Sequence, residues 1–182
     1  MKTLICFLVS LSTFALPAMA DEQAFPPTES GRTELKTLPA GVLLKRAGPG
    51  NYFEQSNRLF MPLFRYIQRH NISMTVPVEA RIENAEMYFW VAQKEVAKVA
   101  GNEDGVVVER LPERRVASLG ARGSYSRANF DSARERLLGW VRQQGQLEIT
   151  GEAYAVYWNG PFTPGFLRRY EVHVPVREKP AA

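Results

Sequence analysis

Tyr154-Ala155-Val156-Tyr157-Trp158-Asn159-Gly160-Pro161-Phe162-Thr163-Pro164-Gly165-Phe166-Leu167-Arg168-Arg169-Tyr170-Glu171-Val172-His173-Val174-Pro175-Val176 is the stretch that decides the fold. Tyr154 to Trp158 is aromatic and β-branched, which suits a pleated, half-buried surface. Asn159-Gly160-Pro161 and Pro164-Gly165 supply turn residues. From Glu171 the chain alternates: Val172, Val174 and Val176 share one face, and Glu171, His173 and Pro175 the other. The segment therefore reads as two strands around a turn. Its polar face carries an acid and an imidazole just after the pair Arg168-Arg169. That face is either a solvated exterior or a place where a ligand is met.

Working back from this hairpin, the same unit is found twice. An offset of 74 residues sets Val42 on Val116, Leu63 on Leu137, Phe64 on Leu138, Tyr66 on Trp140 and Ile67 on Val141. It also sets Asn71 on Gly145, two residue types that tolerate the left-handed conformation ending a helix. Each half reads strand, helix, strand, strand. The first has a strand at 41–45, a helix reaching His70 with Phe60, Leu63, Phe64 and Ile67 inward, and strands near 72–82 and 87–93. Pro62 interrupts that helical pattern, so the helix starts near Met61 or is kinked. The second has a strand at 115–119, a helix over 129–144 capped by Asn129, and strands at 153–158 and 171–176. Gly101 to Gly105 is a turn between halves, and Val106 to Val108 a short strand. Two βαββ units with helices on one face give an α+β architecture. A groove at their junction is a usual place for a ligand.

The flanks read differently. In residues 1–20, Lys2 is the only charge, Leu4 to Leu16 is an apolar run, and Ala18-Met19-Ala20 is a small-x-small cleavage site. That is the layout of a secretory signal peptide. A permanent membrane anchor needs roughly 20 apolar residues, more than this run offers. The only cysteine, Cys6, lies inside it, so the exported chain has neither disulfides nor a C-x-x-C-H for covalent haem attachment. Residues 21–38, with Pro26-Pro27 and Ser30-Gly31, read as a flexible leader, and 177–182 as a loose tail. The domain proper is 39–176, with halves at about 39–100 and 106–176.

Of 23 basic residues only Lys2 falls in the signal segment, against 19 acidic ones. The remaining excess is small and scattered, with only Arg114-Arg115 and Arg168-Arg169 as pairs, so nucleic acid is not an expected partner. No thiol nucleophile, phosphate-cradling glycine loop or H-E-x-x-H pattern is present, and no enzyme is expected.

The hairpin, with Phe60-Met61-Pro62-Leu63-Phe64-Arg65-Tyr66-Ile67 and Ser73-Met74-Thr75-Val76-Pro77-Val78 followed by Phe89-Trp90-Val91, resembles the signature of the SOUL haem-binding family. The resemblance spans nearly all of the chain after residue 20. It implies a curved antiparallel sheet, a distorted barrel of two pseudo-symmetric halves with a helix from each, as in the GyrI-like effector-binding group. It implies non-covalent binding of haem or another tetrapyrrole by an exported protein, and a periplasmic location. This chain departs from the signature at His173 (usually Trp), Tyr170 (usually Asn) and Ala92 (usually Pro).

A haem site needs an apolar slot, an iron ligand and cations for the propionates. His173 stands where the family, and this chain's own first half at Trp90, carries tryptophan. It is either a metal ligand or a smaller aromatic. Met74 offers a thioether or core packing. Arg168 and Arg169 would meet carboxylates or brace the turn. His70, at a helix C-terminus, suits a capping role. The GyrI-like group carries a ligand-facing glutamate, which would be Glu171 here. Such a carboxylate would bind an organic cation, or act as general base in a hydrolase if burial raised its pKa. The expected ligand is thus a tetrapyrrole, with another small apolar or cationic molecule as the alternative.

Overall fold

The computed structural model describes residues 22–160 and 162–180. The segment expected as a signal peptide, residues 1–20 with Cys6, lies outside these residues. In chain order the elements begin with β1 (Glu22–Gln23), β2 (Thr33–Leu38), β3 (Gly41–Ala47) and α1 (Tyr52–Arg69). Then come β4 (Thr75–Val76), β5 (Val78–Arg81), β6 (Glu86–Val91), a 3-10 turn (Gln93–Lys98) and β7 (Val107–Leu111). The second half holds β8 (Arg114–Arg122), α2 (Arg127–Gln143), β9 (Leu147–Ile149), β10 (Tyr154–Tyr157), a 3-10 turn (Gly165–Leu167) and β11 (Arg169–Glu178). Nine strands form one antiparallel, strongly curved half-barrel in the order β2-β8-β11-β10-β5-β6-β3-β7, with β9 added beside β11. The hairpin of residues 154–176 is β10–β11, in the middle of that sheet, pairing Tyr154 with His173 and Tyr157 with Tyr170.

Alternation along the strands creates two faces, and both are apolar. One face meets the helices. There Leu59, Leu63, Tyr66 and Ile67 of α1, and Phe130, Ala133, Leu137 and Val141 of α2, pack on Val42, Leu44, Phe89, Val172 and Val174. Both helices thus lie on one side of the sheet, as expected, and Leu63 and Leu137 are both fully buried. The other face holds Leu43, Trp90, Val116, Tyr154, Val156 and Trp158.

The 74-residue offset holds for the helices and fails for the leading strands. Val42 faces the helices and Val116 the opposite side. The N-caps, Asn51 and Ser126, are one residue further apart than the helix-core leucines, because α1 has 18 residues and α2 has 17. A one-residue slip in a strand moves every side chain to the other face. Ser126, not Asn129, caps α2, its hydroxyl accepting from Asn129 N at 3.3 Å. Helix α1 starts at Tyr52, nine residues before Met61, and runs through Pro62. Proline there removes one backbone donor, but the two-sided packing of the helix outweighs that loss.

The largest departure is at the N-terminal side. The stretch expected as a flexible leader, 21–38, is folded over the described residues 22–38. Strand β2 pairs with β8 from Thr33↔Leu119 to Leu38↔Arg114. Phe25 is buried, its ring edge-on to Trp90 and Trp158, each at 5.6 Å. The physical reason is the second apolar face: left open it would present two tryptophans to water, so the strap covers it. The start of the expected tail is ordered as well, since β11 continues to Glu178 and Arg177 pairs with Glu148 at 2.8 Å.

Gly120 lets the strap lie flat. A Cβ at that position would stand 2.4 Å from the Glu29 carbonyl oxygen and 2.6 Å from that of Thr28. Both obstacles are backbone, so Gly120→Ala is expected to lift the strap and cost about 1–3 kcal/mol. Urea unfolding measures the cost, and limited proteolysis should cut the variant faster within 22–32.

Candidate functional site

Helix α1 carries a second apolar stripe beside its core stripe. Phe53, Phe60 and Phe64 are half-buried: they pack against the edge of the core, Phe60 edge-on to Phe89 at 5.2 Å, and also line a groove of about 620 Å³. That is within the range of small-molecule sites, roughly 300–1,000 Å³. The floor is Met74, Val76, Val78 and Met87, from the sheet and the strand leading to it. The opposite wall is Tyr125, Ser126 and Arg127 before and at the start of α2, with Tyr157, Asn159 and Arg168 from the β10–β11 connection. Tyr125 stacks on Tyr157 at 4.1 Å, and Phe60 on Phe64 at 5.6 Å. Burial pushes the phenols of Tyr52, Tyr125 and Tyr157 above their ordinary range, so all three are neutral hydroxyls at physiological pH.

Two guanidinium groups border the groove. Arg168 lies over the Tyr125 ring at 5.1 Å and donates from Nε to the Thr163 carbonyl at 2.7 Å. Arg127 pairs with Glu83 at 2.6 Å and lies 6.0 Å from the Phe53 ring. The walls are largely aromatic, and among the described residues these two cations are the only charged side chains lining the groove.

Of the residues singled out from sequence, Met74 and Arg168 line the groove and the other three do not. Arg169 is exposed on β11. His173 and Glu171 lie on the far face of the sheet, under the strap, with relative exposures of 0% and 1%. They point neither to water nor to the groove. The alternation that put the valines towards the helices necessarily put these two on the other side.

Glu171 is the centre of a buried polar network. One carboxylate oxygen accepts from Thr28 N at 2.7 Å and Trp158 Nε1 at 2.8 Å. The other accepts from Ser118 Oγ at 2.8 Å, Lys36 Nζ at 3.0 Å and Thr28 Oγ1 at 3.2 Å, and meets His173 Nε2 at 2.6 Å. Burial opposes the charged carboxylate. The hydrogen bond to His173, the Lys36 charge and Ser118 outweigh it, holding the group at about 2. Burial lowers the His173 pKa more than Glu171 raises it, so the ring is neutral at physiological pH. Its Nε2–H donates to Glu171, and Nδ1 is left to accept from Tyr154 Oη at 3.4 Å. Both ring nitrogens are thus engaged. The structure thus places His173, expected as a metal ligand, and Glu171 in one buried hydrogen-bond network, away from the groove.

A second buried carboxylate, Glu79 on β5, was missed from sequence. It accepts from Trp90 Nε1 at 3.0 Å and from Arg114. A Glu between two apolar residues of a strand was the available signal. His70 sits at the end of α1 as expected, its ring 4.5 Å from Tyr66 and Nε2 2.7 Å from Glu103. No cluster of three His, Cys, Asp or Glu suited to a metal ion occurs among the described residues.

Comparison with solved structures shows the same fold elsewhere. The C-terminal domain of EcmrR superposes with a TM-score of 0.63 at 15% identity, covering 81% of this chain and 98% of that one. EcmrR in a DNA complex gives 0.66 at 14% identity, and there the match covers 81% of this chain but only 58% of the EcmrR chain. A hydrolase from Listeria innocua gives 0.56 at 15% identity, covering 82% and 94%. At these identities the likeness is one of fold. No curated protein matches the chain significantly. The family described as SOUL heme-binding protein matches residues 15–175, from before β1 into β11. With that match over most of its length, the chain belongs to the SOUL heme-binding protein family.

Proposed function

We propose that this protein binds a flat, apolar small molecule non-covalently in the α1 groove, a tetrapyrrole such as haem being the first candidate. The observation that carries the reading is the groove itself: about 620 Å³, walled by aromatic and methionine side chains, with arginines as its only charges. A tetrapyrrole has a broad apolar ring and carboxylates. The phenylalanines of α1 and Met74 would cover the ring, and Arg168 is placed to meet a carboxylate. Arg127 is already paired with Glu83, so a preference for such an anionic ligand over an organic cation would come from Arg168. Bound haem would supply an iron centre, and the groove offers it thioethers, at Met74 and Met87, rather than imidazole. A metal-free apolar ligand is the second reading, supported by the absence of histidine from the groove lining.

The role is one of binding rather than catalysis, since Glu171 and His173 lie across the sheet from the groove. We further read residues 1–20 as a secretory signal, with a periplasmic destination; mass spectrometry of the exported chain should find Asp21 at its N-terminus.

Titration of the mature protein with haemin should give a saturable Soret shift at one haem per chain. Phe60→Ala with Phe64→Ala should weaken binding at least tenfold, each truncation removing about 1–2 kcal/mol of apolar contact. His173→Ala should leave the Soret position unchanged wherever the variant is folded. If the wild type shows no saturable shift, the haem reading fails and the metal-free ligand takes its place.

A further inference from the structure

The loop between β10 and β11 exposes three large apolar side chains together. Phe162 is 98% exposed, Phe166 76% and Leu167 49%. Scattered exposed apolar residues are ordinary, but three within six positions form a patch. The turn behind them is fixed. Leu167 N donates to Pro164 O at 2.9 Å, and Arg168 N to Gly165 O at 3.2 Å. Gly165 rests on Ser124, where a Cβ would stand 2.6 Å from the hydroxyl oxygen. The stretch from Pro164 to Arg168 is thus held by its own turn, with Phe166 and Leu167 projecting from it and Phe162 exposed beside it.

Beside the patch is an arginine pair. Arg169 and Arg122 are cross-strand partners on β11 and β8, and both are exposed. Like charges directly opposite one another are unfavourable unless an anion lies across them. Among the described residues neither has a carboxylate partner. An apolar tip flanked by cations matches one surface in particular: the interface of a bilayer, where aromatic rings sit among acyl chains and arginines meet anionic headgroups.

We propose that this loop docks the protein onto anionic lipid surfaces, with Phe162, Phe166 and Leu167 inserted and Arg122 and Arg169 on the headgroups. The attachment is peripheral, and no helix among the described residues is long and apolar enough to cross a membrane. Asn159 and Arg168, at the two ends of the loop, also line the α1 groove. A docked protein would therefore hold its groove mouth at the bilayer, and an apolar ligand would pass between them without crossing water. The docking does not depend on haem being that ligand.

The test is flotation of the ligand-free mature protein with vesicles of phosphatidylcholine alone and of equimolar phosphatidylcholine and phosphatidylglycerol. Wild type should float with the anionic vesicles and little with the neutral ones. Phe162→Asp and Phe166→Asp should each lower the partition coefficient roughly tenfold or more. Arg122→Gln and Arg169→Gln should lower it about fivefold each on anionic vesicles only. All four side chains are exposed, and circular dichroism confirms that the variants are folded. Absence of flotation with either vesicle overturns the proposal, as does flotation unchanged by the aspartate variants. A wild-type dimer that Phe162→Asp splits, with no vesicle binding, would overturn it in favour of a second copy of the chain as the occupant.

Discussion

Replacing Glu171 by alanine is expected to destabilise the protein by about 3–5 kcal/mol, because it removes an acceptor shared by a largely buried Lys36 ammonium and five further donors, two of them from Thr28. Glu171→Gln keeps the shape and loses the charge, so it should cost less than alanine and still weaken the strap. Urea unfolding of the three proteins at neutral pH checks the order. The pH dependence has a definite sign. The folded pKa of Glu171, about 2, lies below its ordinary 4.5, so its stabilisation is complete above about 4.5 and is lost as pH falls towards 2. His173 is held below its ordinary 6.5 by burial. The unfolded chain therefore takes up that proton first, and stability begins to decline already below about 6.5. Wild type should lose stability in two stages on acidification, and Glu171→Ala should show a smaller second stage, left to the ion-paired Glu83, Glu95 and Glu148. A single loss confined to pH below 4.5 would show that His173 does not remain neutral.

Leu137→Ala should cost about 2–5 kcal/mol, and its counterpart Leu63→Ala a similar amount. Both side chains are fully buried between a helix and the sheet, so truncation leaves a cavity that two packed layers close only partly. Met61→Ala, two residues before Leu63 and so on the opposite, exposed side of α1, should stay within about ±0.5 kcal/mol. Thermal and urea melts of the three variants make the comparison, and equal effects at Leu63 and Met61 would contradict the assignment of the core stripe.

Periodicity made the helices and central strands readable. Val172, Val174 and Val176 could be assigned to one face because a strand has period two, and Leu63 and Leu137 could be matched because both lie on a core stripe. What periodicity does not carry is which face of a sheet is covered, and by what. His173 looked available because the strap above it looked disordered: Pro26-Pro27 and Ser30-Gly31 resemble a linker, and the pairing of β2 with β8 depends on partners some 80 residues away. The groove was half visible. Met74 and Arg168 stand out from sequence, and Phe60 and Phe64 read as inward-facing; both do pack on the core, but they line the groove as well, and a helix with a broad apolar arc does not reveal from sequence which part of the arc a ligand can also meet.

The strap joins the two ends of the chain in time as well as in space. Thr28 is synthesised early, yet its backbone donates to Glu171, 143 residues later. β2 cannot find its place until β8 exists, and the network beneath it is incomplete until β11 has been made. So much of the structure rests on distant pairings that folding has to wait for nearly the whole chain, and contacts of such long separation slow it further. During that wait the Trp90 and Trp158 face is uncovered. The first residues of the domain to be made are thus among the last to settle, and a nascent chain of this sequence stays threadable, and open to a chaperone, until its C-terminal strand arrives.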